Sequence, residues 1–396
     1  MRKYYQLLLL IVSLLSLTLF LIYRHEYNRL HYVLEVFNFF GQPCNISELH
    51  TTENTVVQHD WGPTPLWYGS EDFYTYSGFW TKKSEAKVIA VHNKTKKNSR
   101  NCYLWYEDKN KPIIGKFRYS NIDDDNQKLF GVHYYYCNMN EYPHVPYAVS
   151  FNGKTKKENK LNKILLKHLS QKISFNVTMC VVPSPFFSKN EFVEFLSFHS
   201  LIGVDSYIFY SNNIPYRLQK IITNLSTKLG LKITFYPWNS VDIKDKFARQ
   251  TIENDCELRA LGDSKSIVTL SMDEYIVPSK FLTLNEVINY FNNQTGKITL
   301  PVQVFCIKIA NHKKPIALQN LDVAYYNDNT VRQIIRNVEE QNVIKIGSAN
   351  YQVASVHKYI YCTERSERNY PDKSIIKYST DFVRSTLVQL NLHNQL

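Results

Sequence analysis

From residue 173 the chain alternates between two hydrophobic rhythms. Phe175 to Val182 is an apolar run suited to a buried strand, closed by Pro183 and Pro185. Ser188-Lys189-Asn190-Glu191 has the spacing of a capping box, in which hydroxyl and carboxylate each satisfy a free backbone N–H. The helix it opens carries Phe192, Phe195, Leu196 and His199 on one face, and Gly203 suits a left-handed stop. Ser206 to Tyr210 reads as a strand, and Leu218, Ile221, Ile222, Leu225 and Leu229 as a helical stripe ended by Gly230. A strand follows over Lys232 to Tyr236, a helix over Phe247 to Leu261, and a strand over Ser266 to Leu270. Such alternation predicts right-handed crossovers and a mainly parallel sheet covered on both faces. Ligands on such sheets bind beyond the strands' carboxyl ends, which directs attention to the residues after Leu270.

Upstream, 66–149 is dense in aromatics and short strand-like runs, among them Ser77 to Trp80, Lys87 to Val91 and Cys102 to Tyr106. It reads as a small β-rich unit. Residues 151–172 carry seven lysines and read as a solvated linker or helix face, while 24–61 lack sustained periodicity and read as a stem. Leu7 to Ile22 is uncharged and, with Tyr23, reaches about 25 Å as a helix. With no small-residue cleavage site after it, it reads as an uncleaved signal anchor. The layout is then a cytosolic tail over 1–6, an anchor over 7–23, a stem over 24–61, a β-rich module over 62–150, a linker over 151–172 and a main domain over 173–396. That is a single-pass type II arrangement in the secretory pathway, with the main domain in the lumen.

The hydrophobic fraction of 44% and charged fraction of 21% exclude wholesale disorder. The net charge of +12 admits nucleic acid, an anionic surface or a nucleotide-type substrate. A luminal domain removes nucleic acid from that choice. The seven cysteines, at 44, 102, 137, 180, 256, 306 and 362, show no C-x-x-C or Cys/His cluster, so a zinc site is unsupported. In an oxidising lumen up to three disulfides form, leaving one thiol. Sequons at Asn45, Asn93, Asn176, Asn224 and Asn293 permit glycosylation.

The chemistry is concentrated in Ser271-Met272-Asp273-Glu274-Tyr275-Ile276-Val277-Pro278. Carboxylates emerging from a buried strand need compensation, and a divalent metal is one form of it. A strand-end turn or helix cap is another. His199, on an apolar face, reads as a satisfied core histidine, Cys256 as structural, and Trp238 as packing or as a stacking surface for sugar or uracil.

Taken in order, these pieces resemble glycosyltransferase family 92, type II Golgi galactosyltransferases with a GT-A-type (Rossmann-like) α/β fold. Glu194 to Asp205 is similar to its E-x-x-x-x-H-x-x-x-G-V segment. Gln250, Asn254-Asp255-Cys256 and Arg259 are similar to Q-x-x-x-N-D-C-x-x-R. Asp273-Glu274-Tyr275 and Pro278 are similar to the end of D-x-D-E-[FY]-x-x-P, and Val356-His357 lies where a late His follows a basic stretch, here Arg332 to Arg336. The Ser77 and Cys102 region resembles the upstream module, so the resemblance runs from Leu66 to His357.

The resemblance implies transfer of a hexose, galactose from UDP-galactose, to a hydroxyl of a glycan or glycoprotein, with inversion and with Mn²⁺. It implies Asp273 and His357 as metal ligands and Asp255, Arg259, Ser271 and Glu274 as donor-binding residues. One departure matters: the first Asp of the D-x-D is Ser271 here, and Ser266 stands where a Trp is usual. A serine brings no charge to the metal. That leaves open a catalytically degenerate member that binds glycan or nucleotide sugar without transferring it. Glu339, Glu340, Glu364 and Asp381 all lie downstream as candidate bases, and spacing does not select among them.

Overall fold

The computed structural model describes residues 4, 12–21, 23–24 and 67–393, except 71–72, 82, 94–99, 123–129, 140–143, 153–161, 169–171, 185–187, 212–213, 239–244, 261, 292–294, 309–313, 325–329, 338–344 and 363–369. The chain divides into two compact units, Met1–Gly62 and Pro63–Leu396. In the first, residues 12–21 are helical. No helix among the described residues is long and apolar enough to cross a membrane, so the expected anchor helix over 7–23 is not found among them. Residues 7–11 and 22 of that segment, and the stem from 25 onward, lie outside the described residues.

The second unit opens with β1 (Tyr68–Ser70), β2 (Phe73–Trp80), β3 (Glu85–Asn93), β4 (Asn101–Trp105), β5 (Ile113–Asn121), β6 (Phe130–Asn138), β7 (Ala148–Asn152) and β8 (Ile164–His168). Seven of these close into a barrel in the order β2-β3-β6-β5-β4-β7-β8, sealed by a parallel pairing of β8 with β2. Closure removes the exposed edges of an open sheet. Strand β8 falls inside the stretch read as a linker, because Ile164 and Leu166 alternate inward between lysines. A Cys102–Cys137 disulfide joins β4 to β6.

The remainder is built on β9 (Phe175–Val181), α1 (Lys189–Leu201), β10 (Ser206–Tyr210), α2 (Tyr216–Lys228), β11 (Lys232–Tyr236), α3 (Asp245–Ala260) and β12 (Ser264–Leu270). These are the elements the sequence pattern predicts. Gly203 and Gly230 hold positive φ of 97° and 70° just past α1 and α2, a conformation that costs glycine little. Then come β13 (Glu274–Pro278), α4 (Leu284–Tyr290), β14 (Thr295–Cys306), α5 (Ile316–Gln319), β15 (Asp322–Ala324), β16 (Val331–Arg336), β17 (Lys345–Ser348), β18 (Ala354–Ile360), β19 (Tyr370–Pro371), α6 (Ser379–Arg384) and α7 (Thr386–Leu392).

The sheet they form is mixed, not mainly parallel, so the expected Rossmann-like, GT-A-type α/β architecture is corrected. Strands β11-β10-β9-β12 run parallel, but β16 joins β12 antiparallel, and β14 joins β16 antiparallel. Beyond β12 the helical crossovers that parallel neighbours require give way to the short α4 and α5. β14 still pairs in parallel with β18, which in turn pairs antiparallel with β13.

One apolar core fills the sheet, α1 and the C-terminal helices; Phe198 meets Tyr378 and Phe382, each at 5.4 Å between ring centres. A second core joins barrel to sheet, with Tyr76, Phe79 and Ile89 packed among Cys180, Tyr210, Trp238 and Ile252. Each such fully buried side chain contributes about 1.5–3 kcal/mol. Trp238 packs against Trp67 and Tyr76, which settles its role as packing.

Candidate active site

Four strands point their carboxyl ends at one cleft. β9 runs into Pro183 and Ser184, β12 into Ser271, β14 into Ile307 and β18 into Tyr361, and all of these residues line a cleft of about 390 Å³. Backbone bonds draw the ends together in pairs: Val182 N–H donates to Leu270 O (3.0 Å), and Ile307 N–H donates to Ile360 O (2.8 Å). A Cys306–Cys362 disulfide clasps the second pair. Both parallel pairs thus end at the cleft, the end of such sheets where ligands bind in general.

The residues that follow β12 form a tight turn, closed by Glu274 N–H donating to Ser271 O (3.0 Å) and pinned to β18 by Tyr359 N–H donating to Asp273 O (2.9 Å). Ser271, Met272 and Asp273 face the cleft. Glu274 faces away and is fully buried. Its carboxylate is ion-paired with Arg332 and, at 3.4 Å, with Arg249, and it accepts from Ser271 N–H at 3.0 Å. Burial alone would raise its pKa, but the hydrogen bonds from Arg332 and the nearby Arg249 charge hold it below the usual value. Arg249 also donates to Ser271 Oγ (3.2 Å) and Thr269 O (3.1 Å). Thus Glu274 and Arg249 shape the turn from behind. Nothing in the sequence pattern had singled out Arg249, whose i,i+4 pair with Glu253 gives it the look of a surface helix residue.

The cleft is also lined by Glu191, from the first turn of α1. Ser188 Oγ accepts from Glu191 N–H (3.4 Å), but only this half of the predicted capping box forms, whereas Thr283 and Glu286 complete both halves at α4. The Glu191 carboxylate is left to the cleft. Its pKa is raised by burial and by the negative charge of Asp273. That of Asp273 is raised by burial and by Glu274, against the lesser pull of Lys358 and Arg249. Two carboxylates therefore share one cleft. Behind them, Glu194 accepts from Ile316 N–H (2.8 Å) and is pushed up to about 8 by burial.

The other expected site residues lie elsewhere. His357 is fully buried on β18, its ring 4.4 Å from that of Phe305 and its Nε2 3.6 Å from Asp372. Burial lowers its pKa to about 4 against the opposing charge of Asp372, and it does not line the cleft. Asp255 and Arg259 form a sealed ion pair at 2.6 Å on α3. Asp255 also accepts from Tyr210 Oη (2.6 Å) and from Ser77 of the barrel, and Lys167 of β8 donates to Arg259 O (3.3 Å). Asn254 accepts from Tyr134, and Cys256 is bonded to Cys180. The motif on α3 thus fastens the barrel to the sheet. His199 is a satisfied core histidine, with Nδ1 on Phe195 O (2.8 Å) and Ile276 N–H donating to Nε2 (3.3 Å). Glu339, Glu340 and Glu364 lie outside the described residues, and Asp381 opens α6 away from the cleft lining.

No group of three His, Cys, Asp or Glu side chains that could hold a metal ion occurs among the described residues. A cation shared with a bound diphosphate has one fitting protein ligand among the residues expected, the Asp273 carboxylate; His357 does not fit.

Among solved structures, a putative glucose-1-phosphate thymidylyltransferase from Bacillus anthracis, in complex with a sucrose, is similar at 11% identity over 56% of this chain and 83% of that one, with a TM-score of 0.23. No curated protein matches. The sequence pattern of glycosyltransferase family 92 matches residues 175–368, the stretch that supplies β9, β12, β14, β18 and every residue lining the cleft. Over that stretch the chain matches the model of glycosyltransferase family 92, the family its sequence motifs resemble.

Proposed function

We propose that the cleft transfers a hexose, galactose from UDP-galactose, to a hydroxyl group of a glycan. The observation that carries this reading is the convergence of four strand ends on a cleft that Asp273 and Glu191 both line. Asp273 and Ser271 lie on the donor side, on the turn that Arg249 and Glu274 hold rigid. Mn²⁺ bound with the donor would be held by Asp273 and would offset charge on the departing diphosphate. Glu191 is the carboxylate available to the acceptor.

The step is a single displacement. The acceptor oxygen bonds to the anomeric carbon, and its proton passes to Glu191. The bond from that carbon to the diphosphate oxygen breaks, and its electron pair leaves with UDP. The anomeric centre is inverted. Three disulfides, with Cys44 outside the described residues, support an oxidising secretory compartment for the domain.

The test is a panel of UDP-sugars offered to the full chain with and without Mn²⁺, read as UDP release. Release with UDP-galactose that depends on the cation is expected. Specific binding of UDP-galactose without release would point instead to the degenerate, binding-only member that Ser271 leaves open.

A further inference from the structure

The lining of the cleft is of two kinds. Ser271, Asp273 and Glu191 are polar or acidic, whereas Ile307, Ile316, Ile360 and Tyr361 form an apolar wall with no charged side chain among them. Three tyrosines line the cleft, and they are used differently. Tyr275 and Tyr359 are 3% and 4% exposed and belong to its floor, whereas Tyr361 is 70% exposed. It is an aromatic ring standing open in a cleft, the position in which a ring meets a ligand rather than the core.

Its mount is stiff. Tyr361 directly follows β18, whose last residue, Ile360, accepts from Ile307 N–H, and it precedes Cys362, which is bonded to Cys306 at the end of β14. A backbone held this way loses little conformational entropy when a ligand settles on the side chain it carries.

We infer that Tyr361 is the platform for the acceptor sugar, a neutral pyranose that lays its apolar C–H face on the ring while its reacting hydroxyl turns toward Glu191. A diphosphate is a poor occupant of this wall, since its charge would be desolvated against isoleucines with no cationic side chain among the described residues that line the cleft. An uncharged sugar has an apolar face for the wall and hydroxyls for the carboxylate side. This rests on the transferase reading above and adds which part of the cleft takes which substrate.

The experiment compares the full chain with Tyr361→Ala and Tyr361→Phe, using UDP-galactose and five methyl glycosides as acceptors: galactoside, glucoside, mannoside, fucoside and N-acetylglucosaminide. Transfer is measured beside hydrolysis of UDP-galactose to free galactose, which needs the donor side alone. Tyr361→Ala is expected to raise acceptor KM about tenfold, and Tyr361→Phe less than threefold, because the ring and not its hydroxyl makes the contact. Donor KM, hydrolysis and melting temperature stay at wild-type values in both. The inference is overturned if Tyr361→Ala leaves acceptor KM unchanged, or if donor KM and hydrolysis shift as much as acceptor KM does. Should the wild-type chain neither hydrolyse nor transfer from UDP-galactose, the transferase reading falls and this inference falls with it. That result is distinguished by the loss of hydrolysis, which Tyr361 does not control.

Discussion

Two acidic clusters are built from neighbouring parts of the same domain, and they are finished in opposite ways. Around Asp255 every charge is matched: Arg259 pairs with it, Tyr210 and Ser77 donate to it, and the pair is 0% and 2% exposed. Asp273 shares its cleft with another carboxylate, Glu191, and both are raised in pKa. A closed polar cluster holds modules together. An open one, with like charges facing a cleft, is stabilised only when something enters it. Both clusters draw on segments that resemble motifs of the family, so such a resemblance does not by itself say which of the two a segment builds.

That contrast is broken most forcefully at the sealed cluster. Asp255→Ala leaves a buried guanidinium without its partner and is expected to destabilise the domain by roughly 3–5 kcal/mol, read as a shift in the urea midpoint. A change below about 1 kcal/mol would mean that the cluster is not the fastening it looks to be. At the open cluster the reverse holds. Glu191→Gln keeps the backbone cap to Ser188 and should leave melting unchanged while lowering kcat about 100-fold, the scale of a lost general base.

A third comparison sits between them, at Glu194. Its pKa stands at about 8 in the fold, against about 4.5 in the unfolded chain. Between those values the folded chain keeps a proton that the unfolded chain releases, so stability falls as pH rises from about 4.5 to 8. Glu194→Gln, which can still accept from Ile316 N–H, should flatten that decline in urea titrations at pH 5 and pH 8. An unaltered decline would place the titrating group elsewhere. The smallest effect is expected of Ser271→Asp. The new carboxylate would meet Arg249, whose Nη1 lies 3.2 Å from Ser271 Oγ, so UDP affinity should change less than about threefold. A tenfold rise in Mn²⁺-dependent affinity would show that position 271 reaches the metal.

The sequence made the first half of this domain legible for a local reason. The elements from β9 to β12 are set by runs of one rhythm, with glycine stops and prolines between them, and the strand-end rule led directly to Ser271 and Asp273. The second half depends on distant partners: β13 pairs with β18, some 80 residues later, and β8 closes the barrel onto β2. No periodicity within β8 or β13 carries that pairing, and extending the parallel pattern past β12 therefore gave the wrong sheet. Glu191 was hidden for a related reason. Its spacing from Ser188 is that of a helix cap, and only the arrival of the β12 turn opposite α1 shows the carboxylate to be a cleft residue. His357 failed in the opposite sense, its register opposite Tyr275 placing it near the turn but its ring in the core.

The central claim is that the open cluster does chemistry and that Asp273 is its donor-side carboxylate. It is tested most directly by UDP release from UDP-galactose by the full chain and by Asp273→Asn, with melting temperature measured on the same samples. The account predicts at least a 100-fold loss of release with melting unchanged within about 2 °C, because Asp273 faces the cleft and not the core. Wild-type release by the variant would contradict it.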